Sequence, residues 1–409
     1  MTEKKAPLLP VTEARRLIVA RMQPLDVENV AVESALGRVL ASPLAAKVSH
    51  PPADVSAMDG YALRSEDAAT VPVTLRLVGE AAAGHPWDGK VNAGEAVRIF
   101  TGAYMPAGSD AVVIQEDASS GVGEVTLNEP ARAGRHVRLA GLDFRAGTTV
   151  LRPPHRLTVR DVGLAAAMNH ATVPVYRRPR VGIISTGDEI VAPGSDVTPG
   201  QLVSANGPSL GAFVTAHGGE PIHLGIARDD SGALRALMER AGEVDLLVTT
   251  GGVSVGDHDL VKRVLGDMGL DLAFHRIALQ PGKPLLFGAV KSGAKVTPIM
   301  GLPGNPVSTM ICAVLFLGPA LEALQGLPGD PPQLTPARLG TTLDATGPRE
   351  HYLRSRIARA PDGTLTVFPF EVQDSAMIAA LAAADALLLR PPFAPPAQAG
   401  EQVHVVLLD

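Results

Sequence analysis

The chain has a single cysteine, Cys312, among 409 residues. One thiol excludes a disulfide framework, a thiolate zinc site and an iron–sulfur cluster, and it fits a reducing cytoplasm. Aromatic residues make up only 3% of the chain. No excess of positive charge is present: the formal net charge is −6 and the pI about 6.0. That argues against a dedicated nucleic-acid binder, whose affinity comes from neutralising phosphates. No signal peptide is expected, because MTEKKAPLLP is charged and lacks an apolar core. The longest uncharged apolar stretch, 310–321, is too short to span a bilayer and contains Gly318 and Pro319. It predicts a buried helix that stops there, and no membrane contact.

Several common chemical signatures are missing as well. There is no G-x-G-x-x-G and no Walker A, since Gly282-Lys283 is followed by proline. Neither H-E-x-x-H nor G-x-S-x-G occurs. Dinucleotide oxidoreductases, P-loop NTPases, zincins and elbow hydrolases therefore drop out.

What is present is 46% hydrophobic residues, enough to bury large cores. The length points to two to four domains. The 42 glycines and 35 prolines indicate many turns without reaching disorder. The expected fold class is multidomain α/β plus β, in four parts. Residues 1–46 and 141–176 read as a helical linker domain, with helices over 11–22, 27–40 and 159–168. Thr12 is a candidate cap for the first of these. Residues 47–140 read as a small β-rich second domain of short strands and Gly/Pro/Asp turns. Residues 177–327 alternate strand and helix, which predicts a central doubly wound, mostly parallel α/β domain. Residues 328–409 read as a C-terminal β domain of barrel type with one alanine-rich helix at 375–384.

In the third part, every notable loop falls just after a predicted strand. These loops are Ser185-Thr186-Gly187-Asp188-Glu189, Arg228-Asp229-Asp230, Gly251-Gly252-Val253-Ser254-Val255-Gly256 and Gly301-Leu302-Pro303-Gly304-Asn305-Pro306-Val307-Ser308. Doubly wound sheets bind ligands at that edge. The third and fourth loops open helices and can cradle anions on backbone N–H groups. Asn305 as N-cap and Pro306 at N1 would leave the Val307 and Ser308 amides for an anion. Either loop alone reads equally well as a tight turn; two on one sheet edge favour phosphate chemistry. Lys283, between Pro281-Gly282 and Pro284, is a stiffly held ammonium suited to an oxyanion. Asp188, Glu189, Asp229, Asp230, Asp257 and Asp259 gather on the same edge, where their repulsion favours an intervening cation. Oxygen ligands alone point to Mg²⁺ shared with substrate phosphates. Helix capping is the alternative, most credible for Asp257. His258 reads as exposed and His217 as a satisfied core residue.

Together SAMDGYA (56–62), TGA (101–103), STGDE (185–189), GGVSVGDHD (251–259), QPGKP (280–284) and GLPGNPVS (301–308) resemble the MoeA/gephyrin E-domain family of molybdopterin molybdenumtransferases. The resemblance covers essentially the whole chain. It implies a four-domain homodimer with a composite active site, the central domain being of molybdopterin-binding type. It implies insertion of molybdate into adenylylated molybdopterin, with Mg²⁺-dependent release of AMP. By this resemblance the catalytic residues are Asp59, Thr101, Glu189 and Lys283. The substrate would be held by Asp143, by Ser185, Thr186 and Gly187, by Asp229, and by Gly251, Gly252, Ser254 and Gly256. Pro303, Gly304, Asn305, Pro306 and Ser308 would complete that set. Molybdate would meet Lys283, Ser308, Ser375 and an arginine, Arg349 or Arg354. Asp188, Glu189, Asp229 and Asp259 would bind the metal. Few aromatics imply a pterin held by backbone and small side chains.

Many members of this family carry lysine where this chain has Gln280, which removes one positive charge near the oxyanion. Asp385 stands where related chains often have asparagine. The resemblance further implies a cytoplasmic enzyme in transient contact with molybdopterin adenylyltransferase and with recipient apo-molybdoenzymes. Two other readings compete. One is the adenylyltransferase itself, which would consume ATP and need only the α/β domain. The other is a gephyrin-like scaffold, disfavoured because nothing resembles gephyrin's fused second enzyme domain.

Overall fold

The computed structural model describes residues 8–252, 260–292 and 295–408. The chain forms two compact units, one of residues 28–175 and one that joins the segment before Glu28 to everything from Tyr176 onward.

The first unit is built mostly of short strands. A six-stranded sheet runs in the order Ala111–Ile114, Gly60–Leu63, Glu95–Ile99, Val73–Ala81, Glu124–Leu127, Ala118–Ser120. Alternating side chains from it feed two apolar clusters, one around Leu63 and Leu127 and one around Val97 and Ile99. A second, four-stranded sheet contains Val27–Ala31, Thr172–Tyr176, Val39–Leu40 and His155–Arg156. The helix expected over 27–40 is therefore absent. Those residues form two strands around a 3₁₀ turn at Val32–Ser34, because pairing with Thr172–Tyr176 outweighs helical periodicity. The helix at Val159–Ala167 does form. It starts at Thr158, whose hydroxyl and amide exchange hydrogen bonds with Asp161.

In the second unit the first helix, Val11–Val19, begins at Pro10 and has no side-chain cap, so Thr12 does not serve as one. Its buried face (Val11, Ala14, Ile18) packs into the core with Leu321 and Leu324. The central sheet runs Glu220–Ala227, Arg180–Thr186, Leu246–Thr250, Lys295–Leu302, Pro284–Ser292, Asp271–Arg276. The first four strands are parallel and the last two antiparallel, so the parallel portion carries an antiparallel meander at one edge. Consecutive residues point to opposite cores. Ile183 joins Val248 and Met300 on one face; Ile184 joins Leu247 and Ile299 on the other. Helices therefore cover both faces, and all loops at the carboxyl ends of the parallel strands open on one edge.

The predicted stop at Gly318-Pro319 does not occur. Pro306–Cys312 is α-helical, Ala313–Leu317 forms a π turn, and Gly318–Leu324 continues the helix. The wider π turn gives the Pro319 ring the space that an α-helical carbonyl at i−4 would deny it. Gly326, at φ 79°, ends the run. This 19-residue stretch is apolar enough to cross a membrane, but most of it is buried inside the protein, where it serves as the central core helix. His217 is satisfied as expected, with Nδ1 2.9 Å from the Phe213 carbonyl and its ring stacked on Phe213, but it is half-buried and not a core residue.

The C-terminal region closes into a five-stranded barrel. Glu350–Arg359 pairs with both Leu365–Pro369 and Ala386–Arg390, and Leu334–Leu339 and Gln402–Leu407 complete the circle. The alanine-rich helix is shorter than expected, Ile378–Ala382. Asp385 is a barrel residue, its carboxylate accepting the Ile357 amide at 2.9 Å.

Candidate functional site

A cavity of about 1120 Å³ opens at the carboxyl edge of the parallel strands, entirely within the second unit. Its walls come from the four sequence-predicted loops. Ser185 and Thr186 end the Arg180–Thr186 strand, Gly187 and Glu189 follow it, and Asp229 follows Glu220–Ala227. Gly251 and Gly252 follow Leu246–Thr250, while Pro303, Gly304, Asn305, Pro306 and Ser308 follow Lys295–Leu302. Lys283 enters from the connection to the antiparallel meander. Ser254, Gly256, Asp257, His258 and Asp259 lie outside the described residues.

The turn at Gly251 and Gly252 shows why glycine is needed there. Their φ values are 84° and 65°, in the left-handed region. A Cβ on Gly251 would also lie 2.5 Å from the Thr186 carbonyl oxygen, and one on Gly252 would lie 2.6 Å from Val261 Cγ2. The backbone thus runs bare along the pocket wall. Asn206 locks this wall to the next loop: its amide donates to Thr250 Oγ1 at 2.8 Å and to the Gly304 carbonyl at 2.7 Å. Thr250 Oγ1 in turn donates to the Pro303 carbonyl at 3.1 Å.

At the opposite loop the expected cap takes another form. Asn305 occupies the N-cap position, but its side chain does not cap; it donates to Ser375 Oγ at 2.6 Å. The Val307 amide, expected to be open to an anion, donates instead to the Ser375 carbonyl at 3.1 Å. The 372–377 segment of the C-terminal region is thereby docked against the start of the core helix. Arg354 shapes that segment. It is 1% exposed, and its guanidinium donates to the carbonyls of Met377 and Val372 at 3.0 and 3.3 Å. Burial lowers its pKa, against a raising influence from Asp374. Its described hydrogen bonds thus hold the loop that presents Ser375. Arg349 is half-buried and, like Arg354, is not part of the cavity wall.

The acids are arranged unequally. Burial raises the pKa of Asp229, and the charges of Asp188 and Glu189 raise it further, against one lowering contact with Asp188. That contact is the Asp229 amide donating to Asp188 Oδ1 at 2.9 Å. Asp230 does not join them; its carboxylate caps the Ser231–Met238 helix through the Ala233 amide at 2.7 Å. Among the described residues no three histidines, cysteines or carboxylates form a ready-made metal cage. The Asp188, Glu189 and Asp229 oxygens instead suit Mg²⁺ held by one or two carboxylates together with water and substrate phosphate.

Asp59, Thr101 and Asp143 belong to the first unit. Asp59 Oδ1 accepts the Thr101 amide at 2.7 Å and the Thr101 hydroxyl at 2.8 Å. Those two donors, with the nearby Arg98 charge, hold its pKa below the ordinary carboxylate value. Asp143 is exposed, in a turn where its amide bonds the His50 carbonyl.

Sequence reasoning missed Asn206, Thr250 and Arg263, and the strand pair Ile190–Val191 with Leu202–Val203, all represented in the cavity wall. Asn206 and Arg263 sit on the helices Asn206–Ala216 and Leu260–Asp267, neither of which carries a motif at those positions. Ile190, Leu202 and Val203 come from a long excursion of the first loop with no motif of its own. The apolar Leu202, 62% exposed, offers the pocket a non-aromatic surface.

Bare glycine backbone, an ammonium, buried hydroxyls and repelling carboxylates on one mixed α/β edge are features suited to phosphates and oxyanions. Comparison with known proteins sharpens this. Residues 9–169 match the family described as MoeA N-terminal region (domain I and II), residues 182–323 a probable molybdopterin binding domain, and residues 336–408 the MoeA C-terminal region (domain IV). The chain is 36% identical to molybdopterin molybdenumtransferase 2 of Mycobacterium tuberculosis, over 97% of this chain and 98% of that one. It is 31% identical to molybdopterin molybdenumtransferase of Bacillus subtilis, covering 100% and 96%. A crystal structure of the molybdopterin biosynthesis MoeA protein from Pyrococcus horikoshii superposes with a TM-score of 0.83 at 32% identity, covering 98% and 99%. The chain belongs to the MoeA family of molybdopterin molybdenumtransferases, enzymes that insert molybdenum into molybdopterin.

Proposed function

We propose that this chain takes adenylylated molybdopterin and molybdate and releases AMP as molybdenum is inserted. The observation that carries this reading is one cavity joining Lys283 and Ser308 with Glu189, Asp229 and the Gly251-Gly252 turn. Two kinds of anion need two kinds of wall, and both are present. The Lys283 ammonium and the Ser308 hydroxyl fix molybdate at one end by charge-assisted hydrogen bonds. The bare turn and the Leu202–Val203 surface receive the pterin and its phosphates. Glu189 and Asp229, with Asp188 bonded to the Asp229 amide, would hold Mg²⁺; when bound, it supplies positive charge at the phosphoanhydride. Water adds to the adenylyl phosphorus while the P–O bond to the pterin phosphate breaks, and AMP leaves carrying the water oxygen; if a molybdate oxygen adds first, water then cleaves the adenylyl molybdate to the same AMP. The two dithiolene sulfurs bond to molybdenum as their protons leave with one molybdate oxygen as water. Asp59, kept ionised by Thr101, orients the attacking group from the first unit of a second protomer, in a homodimer with composite sites. Gln280 donates no charge, so Lys283 carries more of the oxyanion's binding. The cytoplasm, with its reducing conditions, is the proposed location. The adenylyltransferase and recipient apo-molybdoenzymes are the proposed transient partners, with no nucleic acid or membrane among them.

The test is AMP release from adenylylated molybdopterin under anaerobic conditions with Mg²⁺, with and without molybdate. Release that depends on molybdate is the expected result. ATP consumption with free molybdopterin, and no molybdate dependence, would move the assignment to adenylyl transfer.

A further inference from the structure

Among the described residues the cavity wall contains two cations, Lys283 and Arg263, and only the first has been given a role. Arg263 lies on the helix Leu260–Asp267, directly after the connection that begins at Gly251-Gly252. The orientation of that helix is fixed by burial: Val261, Val264 and Leu265 are in the core. The close approach of Val261 to Gly252 seats its first turn against the glycine wall. Arg263 is left on the opposite side, exposed and facing the cavity. Among the described residues its guanidinium has no ion-pair partner, although Glu189 and Asp229 share the same wall. A long, exposed cation in a pocket wall, with no carboxylate partner among the described residues, is available to an anion that arrives with a ligand.

Topology separates the two cations. Arg263 belongs to the Leu246–Thr250 connection, next to the Arg180–Thr186 strand. Lys283 lies before Pro284–Ser292, on the far side of Lys295–Leu302. They approach the cavity from different positions along the sheet, so one small tetrahedral anion does not require both.

We infer that Arg263 is a substrate-binding residue that grips a phosphate of the adenylylated substrate, while Lys283 serves the molybdate. The inference rests on the reaction proposed above and adds to it a division of the pocket into two anion ends.

The experiment measures binding of AMP and of molybdate separately, by calorimetry, to the full-length protein with Mg²⁺. Wild type, Arg263→Gln, Arg263→Lys and Lys283→Gln are compared, with melting temperature as the folding control. Arg263→Gln is expected to weaken AMP about tenfold or more while leaving molybdate within twofold, and Lys283→Gln to do the reverse. Arg263→Lys, which keeps the charge but loses the planar fork, should recover part of the AMP affinity. AMP binding by Arg263→Gln at wild-type strength would overturn the inference, as would equal weakening of both anions. If wild type turns over substrate normally and only these ratios fail, the reaction assignment survives. If wild type binds neither anion, both fall.

Discussion

Asp59 and Asp229 are both aspartates to which the proposed reaction gives a role, yet the protein treats them in opposite ways. Asp59 receives two donors from Thr101 and sits near Arg98, so its charged form is favoured. Asp229 meets burial and the negative charges of Asp188 and Glu189, so its charged form is disfavoured. The first has its charge met by donors already in place; the second has its charge opposed by its neighbours. The same residue type is thus prepared for two tasks by its neighbours alone. The stability linkage follows with opposite sign. Asp59 contributes stability above the ordinary carboxylate range that is lost as pH falls through its depressed pKa. Asp229, with a raised pKa, favours folding in its protonated form, and that contribution is lost as pH rises through the raised value.

The comparison can be broken most severely on the Asp229 side. Combining Glu189→Gln with Asp229→Asn removes two of three crowded charges. AMP release should fall by roughly 10²–10³-fold or more, as when a preorganised electrostatic group is lost. The melting temperature should hold or rise slightly, because repulsion is relieved. Gly251→Ala attacks the wall itself. A methyl group against the Thr186 carbonyl, at a left-handed φ, should cost about 1–3 kcal/mol in stability and sharply weaken pterin binding; denaturation and ligand titration check both.

On the Asp59 side, Thr101→Val removes the hydroxyl donor but keeps the amide. Asp59 then titrates closer to an ordinary aspartate. The acid limb of the pH–activity profile should move upward, with about a tenfold loss of turnover below it. The smallest effect on activity comes from a third aspartate. Asp245 pairs with Arg177 at 2.7 and 2.8 Å and accepts the Arg180 amide at 2.9 Å. Burial acts to raise its pKa, but these partners outweigh it and the net shift is downward. Asp245→Ala should therefore cost about 2–3 kcal/mol of stability, read by urea denaturation, while turnover below the melting range stays near wild type.

Much of this was legible in the sequence where local pattern and topology agree. Val181 to Ser185 is a continuous apolar run because its strand is buried on both faces, and the loops after it could be placed on one edge by the fold rule. The expected gathering of Ser185–Gly187, Glu189, Asp229, Gly251-Gly252, Lys283 and Pro303–Ser308 is what the cavity shows. Legibility fails where partners distant in the chain decide. Val27–Leu40 became strand because Thr172–Tyr176 pairs with it. The Val307 amide was claimed by Ser375, nearly seventy residues later, and no helix-start signal announces that. Asn206 and Arg263 were invisible as site residues because helical periodicity marks the buried face and is silent about the other one. The environments of Asp59 and Asp229 were equally hidden, since each depends on a side chain some forty residues away in sequence.

The most direct test of this contrast is a carboxylate titration of Asp59 and Asp229 by carbon NMR, without Mg²⁺ and then with Mg²⁺ and AMP present. The account predicts Asp59 below the ordinary aspartate value in both conditions. Asp229 should titrate above it without the metal and below it once Mg²⁺ and AMP are added. An Asp229 that titrates at or below the ordinary value in metal-free protein would contradict the claim that this pocket is built around a carboxylate awaiting a cation.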